Sequence, residues 1–250
     1  MEPVPLLRRA GAELLGTALL TAVTLGSAAM AQKLSTDAGL RLLEGSLATM
    51  LGLGALILLF GPVSGGHFNP AVSLTDAVLS RRGSGKGLRP GELGVYVLAQ
   101  VIGAVLGAFL VNVMFEVPAG LGTVPRATLP ALVGEVVATA GLVLLIVGLV
   151  RAGRSIMVIA TAVGAYIGAA FWFTSSTAFA NPAVTVGRLL TDSAGGIAPA
   201  SFPPFLLAQL IGTGVGIALA VLLFPHPRTP GTDVPLVHEP EAVADAATDE

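Results

Sequence analysis

Long apolar runs dominate this chain, and six of them are long enough to cross a membrane as helices. About 20 mostly apolar residues span the ~30 Å hydrocarbon core of a bilayer. The runs lie at about 11–31, 42–62, 92–115, 129–151, 155–175 and 202–224. The pattern therefore predicts an all-α membrane protein with six transmembrane helices.

Composition agrees with a membrane protein and narrows the possible chemistry. The chain is 54% hydrophobic and 11% charged, whereas a soluble domain has about 25% charged residues. It has no cysteine and three histidines, so thiolate chemistry is excluded and a multi-histidine metal site is not expected. A net charge of −2 indicates no nucleic-acid partner. We expect neither a metal nor a cofactor, and no constellation of catalytic residues indicates an enzyme.

Basic residues divide unequally between the two sides of the predicted membrane domain. Six spans place both termini on one side, with nine Lys or Arg residues on that side and four on the other. The four are Lys33, Arg41, Arg126 and Arg188. Because cytoplasmic loops carry the excess of Lys and Arg, we expect both termini in the cytoplasm and the protein in the cell (inner) membrane.

The chain repeats itself in two halves. Three pairs of segments match: 13–17 with 135–139, 69–72 with 181–184, and 98–103 with 207–212. Their offsets of 122, 112 and 109 residues agree on one duplication. Each half holds three spans, an odd number, so the second half is inverted relative to the first. Inverted repeats of this kind place the functional site near the membrane midplane.

The tripeptide Asn-Pro-Ala occurs once in each half, beginning at Asn69 and Asn181. Asparagine is a favoured N-cap, since its side-chain oxygen accepts from N–H groups of the first turn. Proline suits the first helical position because its missing N–H is not needed there. Each motif therefore predicts a helix start. With their oxygens turned to the caps, we expect both side-chain NH₂ groups to be free to donate to a passing molecule.

The helices predicted at 70–80 and 182–192 are short. Eleven residues span about 16 Å, half of the hydrocarbon core. The stretches before them, 61–68 and 175–180, are predicted to be non-helical. Irregular backbone at membrane depth is tolerated where it lines a water-filled cavity. We therefore predict two re-entrant half-helices whose positive N-termini meet in a pore and disfavour cations there.

At these paired motifs the sequence resembles the major intrinsic protein family, the aquaporins and glycerol facilitators, over about residues 8–224. The resemblance implies the aquaporin fold in a lipid bilayer, a homotetramer, and one pore for small neutral solutes in each subunit. It implies that Asn69 and Asn181 line the pore centre. It also implies a ladder of backbone carbonyls from Gly65, Gly66, His67, Ala178, Phe179 and Ala180.

The expected organisation has three parts. Residues 1–10 form a cytoplasmic N-terminus, and residues 11–224 form an aquaporin-like channel domain. Within it, repeat one covers about 11–115 and repeat two about 129–224. Residues 225–250 are rich in proline and acidic residues, which is typical of a disordered tail, here cytoplasmic.

Glu13 and Glu135 are the acids deep within the predicted spans. An intramembrane carboxylate is expensive and usually has a dedicated partner. The resemblance implies that both accept hydrogen bonds from the re-entrant loops. A proton relay is the alternative interpretation.

His67 lies two residues before Asn69, in a glycine-rich stretch that looks like the family's loop. We interpret it as a loop residue that offers its carbonyl to the pore. A pH-sensing role is the alternative.

The predicted selectivity filter departs from the family pattern. Most members have an arginine directly after the second Asn-Pro-Ala, where this chain has Val184. Counting without gaps from the motifs gives Thr49, Ala169 and Ala178 as the other filter positions. A wide, uncharged filter is therefore expected, which suits glycerol, urea or neutral metalloid hydroxides as well as water. The residues after the motif resemble a bacterial branch often linked to arsenic resistance, which suggests arsenite as a candidate solute.

Arg188 follows Val184 by four residues and therefore shares a face of the predicted half-helix with it. Helical side chains tilt toward the N-terminus of their helix, so Arg188 is a candidate for a displaced filter residue. The alternative is an interfacial arginine that pairs with Asp192 or faces lipid headgroups.

Three functions remain open from the sequence. The favoured one is a passive channel for small uncharged solutes. An inverted-repeat secondary transporter would need ion-coordinating residues at the midplane, and none is found beyond the two glutamates. A closed-pore structural membrane protein would use the many small residues for tight helix packing.

Overall fold

The structure is a computed structural model that describes residues 4–80, 87–118 and 120–224. The helices are α1 (Leu6–Leu34), α2 (Ala38–Ser64), α3 (Pro70–Ser80), α4 (Pro90–Met114), α5 (Leu129–Arg151), α6 (Ile156–Phe173), α7 (Pro182–Arg188) and α8 (Phe202–Leu223), with a 3-10 turn at Pro199–Ser201. The described part of the chain contains no β-strand, so the all-α prediction is confirmed. The predicted tail at 225–250 lies outside the described residues.

Six of these helices are long and apolar enough to span a membrane, as predicted. They range from 18 residues in α6 to 29 residues in α1, or about 27–44 Å at 1.5 Å per residue. Helix α1 begins at Leu6, directly after Pro5, so part of the segment predicted as an N-terminal extension (1–10) is helical. The outward faces expose large apolar side chains such as Leu51 and Phe109, which suit a bilayer.

The two halves of the chain pack in the same way. Helix α1 packs along α4 in the first half, and α5 packs along α8 in the second, while α2 joins the halves by packing on α1 and α6. Matched glycines permit the close approach. A Cβ on Gly103 would lie 2.3 Å from the Leu14 carbonyl oxygen, and one on Gly212 would lie 2.6 Å from the Val136 carbonyl oxygen. Small residues at helix contacts are typical of membrane bundles.

The first half-helix, α3, occupies the predicted range, Pro70–Ser80. The non-helical stretch before it is shorter than predicted. Helix α2 continues through Pro62 to Ser64, and its C-cap is Gly65, whose φ of 95° is left-handed. The helix therefore includes the first part of the range 61–68, which was predicted to be non-helical.

The second half-helix, α7, ends at Arg188 rather than at the predicted residue 192. The carbonyls that a longer helix would use are bonded to distant residues instead. The Arg188 carbonyl accepts from Ile197 N at 3.0 Å, and the Leu189 carbonyl accepts from Gly122 N at 2.9 Å. Contacts with two loops therefore end α7 at Arg188, although the local sequence predicts a longer helix.

Candidate functional site

A cavity of about 600 Å³ runs through the middle of the helical bundle. Its lining extends from Arg9 and Arg151 past Asn69 and Asn181 to Arg188. Helices α2, α5 and α6 supply an apolar wall, and the loops before the two half-helices supply a polar side. We call the face with Arg9 and Arg151 the terminal face, since α1 begins there, and the face beyond Arg188 the opposite face.

The two motif asparagines cap the half-helices with their side-chain oxygens. Asn69 Oδ1 accepts from Ala71 N at 2.9 Å. Asn181 Oδ1 accepts from Ala183 N at 3.0 Å and from Val184 N at 3.2 Å. Both side chains also line the cavity, so each asparagine starts a helix and faces the cavity.

The NH₂ groups of these asparagines are not entirely free, which corrects the expectation from the sequence. Asn69 Nδ2 donates to the Ala180 carbonyl at 2.7 Å, and Asn181 Nδ2 donates to the Phe68 carbonyl at 2.8 Å. Each asparagine therefore ties the end of its own loop to the end of the other. An amide NH₂ carries two hydrogens, so one hydrogen of each remains for the cavity.

The two loops before the half-helices have an unusual backbone. Left-handed φ angles occur at Gly65 (95°), Gly66 (64°), Phe68 (49°), Thr177 (61°), Ala178 (49°) and Ala180 (46°). Glycine adopts such a conformation without strain, but at the four other residues it persists only where the surroundings hold it. All six residues of the predicted carbonyl ladder line the cavity. Five of these carbonyls accept no hydrogen bond from any described residue, whereas that of Ala180 already accepts from Asn69.

Glu13 anchors the first loop. Its Oε1 accepts from Ser64 Oγ at 2.6 Å and His67 N at 3.0 Å, and its Oε2 accepts from Phe68 N at 2.6 Å and Gln100 Nε2 at 2.8 Å. The side chain is fully buried. Four donors therefore replace the water that a carboxylate loses inside a membrane.

Glu135 anchors the second loop in the same manner. It accepts from Phe179 N at 2.8 Å, Ala180 N at 2.9 Å and Gln209 Nε2 at 2.7 Å. Every described partner of the two carboxylates donates to them, and a relay would also need an acceptor for the proton. This arrangement favours anchoring over the relay interpretation.

Gln100 and Gln209, which have no role in the predictions from sequence, are both fully buried at the centre of this network. Beyond the glutamates, Gln100 Nε2 donates to Ser73 Oγ at 2.8 Å, and Gln209 Nε2 donates to Thr185 Oγ1 at 3.0 Å. The sequence feature that could have identified them is a glutamine at matched positions of the two repeats, in helices that are otherwise apolar.

His67 lines the cavity and lies against α3. Its Nδ1 is 3.1 Å from Ser73 Oγ, the hydroxyl that accepts from Gln100. The ring also packs 5.6 Å from the ring of Tyr96. Sensing of pH by His67 stays a prediction.

Three of the four predicted filter residues line the cavity. They are Thr49, Ala178 and Val184. The placement of Ala169 is wrong, because this residue is exposed on the outward side of α6. Residues two positions apart on a helix point about 200° apart. It is Phe171 that lines the cavity, and it belongs to the same buried apolar cluster as Ala178 and Val184. Counting without gaps from the motif selected the wrong face of α6, so an aromatic residue does belong to this region.

Arg188 lines the cavity and is only 5% exposed. Its Nη1 donates to the Gly195 carbonyl at 2.7 Å, and its Cζ lies 3.8 Å from the ring centre of Phe179. Its Nε has no partner among the described residues. Asp192 instead accepts from Thr123 N and Oγ1. The alternative in which Arg188 pairs with Asp192 is therefore wrong.

Comparisons with known proteins agree with this geometry. A model of the family described as "Major intrinsic protein" matches residues 1–178. The chain is 42% identical to the aquaglyceroporin AqpS of Rhizobium meliloti (strain 1021) over 220 residues, which cover 88% of this chain and 91% of that one. It is 32% identical to aquaporin NIP1-2 of Arabidopsis thaliana over 61% of this chain and 53% of that one.

A solved structure shows the same fold at low sequence identity. The X-ray structure of the aquaglyceroporin from Plasmodium falciparum matches with a TM-score of 0.67 and 22% identity, covering 88% of this chain and 98% of that one. Six membrane-length helices, two re-entrant half-helices and the family match together identify the chain. It belongs to the major intrinsic protein family, and it is therefore a multi-pass membrane channel for small neutral solutes and not an enzyme.

Proposed function

We propose that this channel passes water and larger neutral solutes through a wide filter without the usual arginine. The observation that carries the proposal is the 600 Å³ cavity, whose filter region is bordered by short or apolar side chains, Ala178, Val184 and Phe171. A hydrophobic wall accommodates carbon-bound hydrogens. The candidate solutes are water, glycerol, urea and neutral metalloid hydroxides such as As(OH)₃.

The polar side of the cavity suits molecules with several hydroxyl or amide groups. Five loop carbonyls accept no hydrogen bond from the described residues, and each motif asparagine keeps one amide hydrogen. The Thr49 hydroxyl is buried without a partner in the described part of the chain. A hydroxyl group both donates and accepts, so a polyol or As(OH)₃ bonds to both kinds of group as it passes.

Arg188 supplies the positive charge near this filter. The backbone of Arg188 lies about one helical turn, roughly 5.4 Å, beyond that of Val184, and its side chain lines the cavity. A buried cation there opposes the entry of other cations, together with the dipoles of the two half-helices. We therefore include Arg188 in the filter.

The setting of the channel is part of the proposal. The nine-to-four division of basic residues places the terminal face in the cytoplasm by the positive-inside rule. The similarity to a bacterial aquaglyceroporin supports the inner membrane. We also propose a homotetramer with one pore in each subunit.

Stopped-flow swelling of proteoliposomes with water, glycerol, urea and arsenite tests the function. Rapid permeation that does not saturate with solute concentration supports the channel. Saturable flux driven by an ion gradient would support the secondary transporter, and no permeation of any solute would support a closed structural protein. Liposomes without protein provide the baseline for each solute.

A further inference from the structure

The loop between α4 and α5 is fastened over the opposite face of the channel. Gly122 N donates to the Leu189 carbonyl at 2.9 Å, and Thr123 Oγ1 donates to Asp192 at 2.7 Å. Ala198 N donates to the Val124 carbonyl at 2.8 Å. Residues 122–124 of this loop are therefore bonded to the segment 189–198 that follows α7.

Arg126 belongs to this loop and donates hydrogen bonds to the segment after α7. Its Nη2 donates to the Ala194 carbonyl at 2.6 Å, and its Nε donates to the Gly196 carbonyl at 2.7 Å. The carbonyl between these two, that of Gly195, accepts from Arg188 Nη1 at 2.7 Å. The two arginines therefore donate to three successive carbonyls. Arg126 binds the first and the third, on either side of the Gly195 carbonyl that Arg188 binds.

The two arginines also share one aromatic ring. The Cζ of Arg126 lies 5.3 Å from the ring centre of Phe179, and that of Arg188 lies 3.8 Å from it. A guanidinium over an aromatic face is attracted by the ring quadrupole. Phe179 lines the cavity and is 5% exposed. A movement of Arg126 would therefore reach Arg188 through the ring as well as through the carbonyls.

The positive charges of Arg126 and Arg188 must be stabilised without a carboxylate partner in the described part of the chain. Neither arginine forms an ion pair within the described residues; Asp192 bonds to Thr123, and Glu135 bonds to the second re-entrant loop. Burial lowers the pKa of the Arg126 guanidinium from its ordinary value. The two guanidinium groups stay close because backbone carbonyl oxygens and the Phe179 ring stabilise both positive charges. The position of one guanidinium group therefore depends on the position of the other.

We propose that Arg126, which does not line the cavity, is a positioning residue that fixes Arg188 and thereby sets solute size selectivity and cation exclusion at the opposite mouth. The inference rests on the proposed function of Arg188 as a filter residue. Arg126 acts through the Gly195 carbonyl and the Phe179 ring. Its contribution therefore disappears when the Arg188 guanidinium is removed.

The test compares the parent with Arg126→Ala, Arg188→Ala and the double variant in proteoliposomes. The readouts are the permeability ratio of a four-carbon polyol to glycerol and the sodium leak. We expect each single variant to raise the ratio about twofold or more, since coupling within one hydrogen-bond network begins near that size. The double variant should match Arg188→Ala alone. Arg126→Lys and Arg126→Gln, which keep part of the hydrogen bonding, replace Arg126→Ala if that variant does not fold.

Arg41→Ala is the matched control. Arg41 also lies near the opposite face and donates to backbone carbonyls, Ser35 at 2.5 Å and Gln32 at 3.5 Å, but it does not line the cavity. It should leave both readouts unchanged.

The outcomes separate the two proposals. A parent that passes no solute refutes the channel itself. A conducting parent with an unchanged Arg188→Ala variant removes the filter role of Arg188 and this inference with it. If Arg188→Ala changes selectivity but no folded Arg126 variant does, or if Arg126→Ala acts equally in the Arg188→Ala background, Arg126 has no positioning role.

Discussion

Removal of the Glu13 carboxylate tests how the first re-entrant loop is held. The Glu13→Ala variant loses an acceptor for four donors, two of them backbone N–H groups, at His67 and Phe68. Phe68 has a left-handed φ of 49°, a conformation that only the surroundings maintain. We therefore expect the loop to lose its shape and glycerol permeation to be lost with it.

The structure gives the size of the effect. A buried donor left without a partner costs about 1–3 kcal/mol. The Ser64 hydroxyl can turn to the Phe60 carbonyl at 3.4 Å, and Gln100 keeps Ser73 Oγ at 2.8 Å. The two backbone N–H groups dominate, and the variant should lose roughly 2–6 kcal/mol, a large part of the 5–15 kcal/mol typical of a folded protein.

Glu13→Gln should lie between the parent and the alanine variant. The amide keeps one acceptor oxygen. Its NH₂ group takes the place of the second carboxylate oxygen and faces the donors that were bonded to that oxygen. About one backbone donor loses its partner, so we expect a loss of roughly 1–3 kcal/mol. Glu135→Gln and Glu135→Ala should follow the same order, with two backbone N–H groups again at stake.

Thermal unfolding in detergent, followed by circular dichroism, measures the order of stability, and glycerol swelling of proteoliposomes measures function. Glu44→Ala is the control, because Glu44 lies in α2, does not line the cavity, and has a buried Oε2 without a partner among the described residues. If Glu13→Ala unfolds at the parent's temperature and conducts like the parent, the anchoring argument is refuted. The same conclusion follows if Glu44→Ala is equally damaging.

Two further variants test the pore centre and the filter. Combined Asn69→Asp and Asn181→Asp substitutions should raise sodium conductance above that of the parent, because the carboxylates offset the half-helix dipoles. The carboxylates would also face the carbonyl oxygens that accept from the two Nδ2 groups in the parent. An unchanged conductance in planar bilayers would contradict this prediction. Val184→Arg should lower glycerol permeability about tenfold or more, since steric discrimination at a close-fitting site reaches that size, while water permeability falls less; equal loss of both solutes in swelling assays would exclude a filter at this position.

The sequence alone predicted the features that depend on local order. Hydropathy predicted six spans, because each apolar run must leave water whatever its neighbours are. The Asn-Pro-Ala motifs predicted both half-helix starts, since a cap bonds only to the turn that follows it. The match between the halves predicted the inverted repeat, whereas the binding of the two glutamates to the re-entrant loops was implied only by the resemblance to the family.

Only the tertiary structure decided the features that depend on long-range contacts. Helix α7 ends at Arg188 because its carbonyls bond to Ile197 and to the loop that carries Gly122. The cavity-facing side of α6 carries Phe171 rather than Ala169, since the length of a connecting loop does not fix the rotation of the helix before it. Arg188 likewise shares the Phe179 ring with Arg126, 62 residues earlier in the chain. Residues that meet only when two loops pack leave no periodic trace in the sequence, so their partnership becomes visible only in the folded channel.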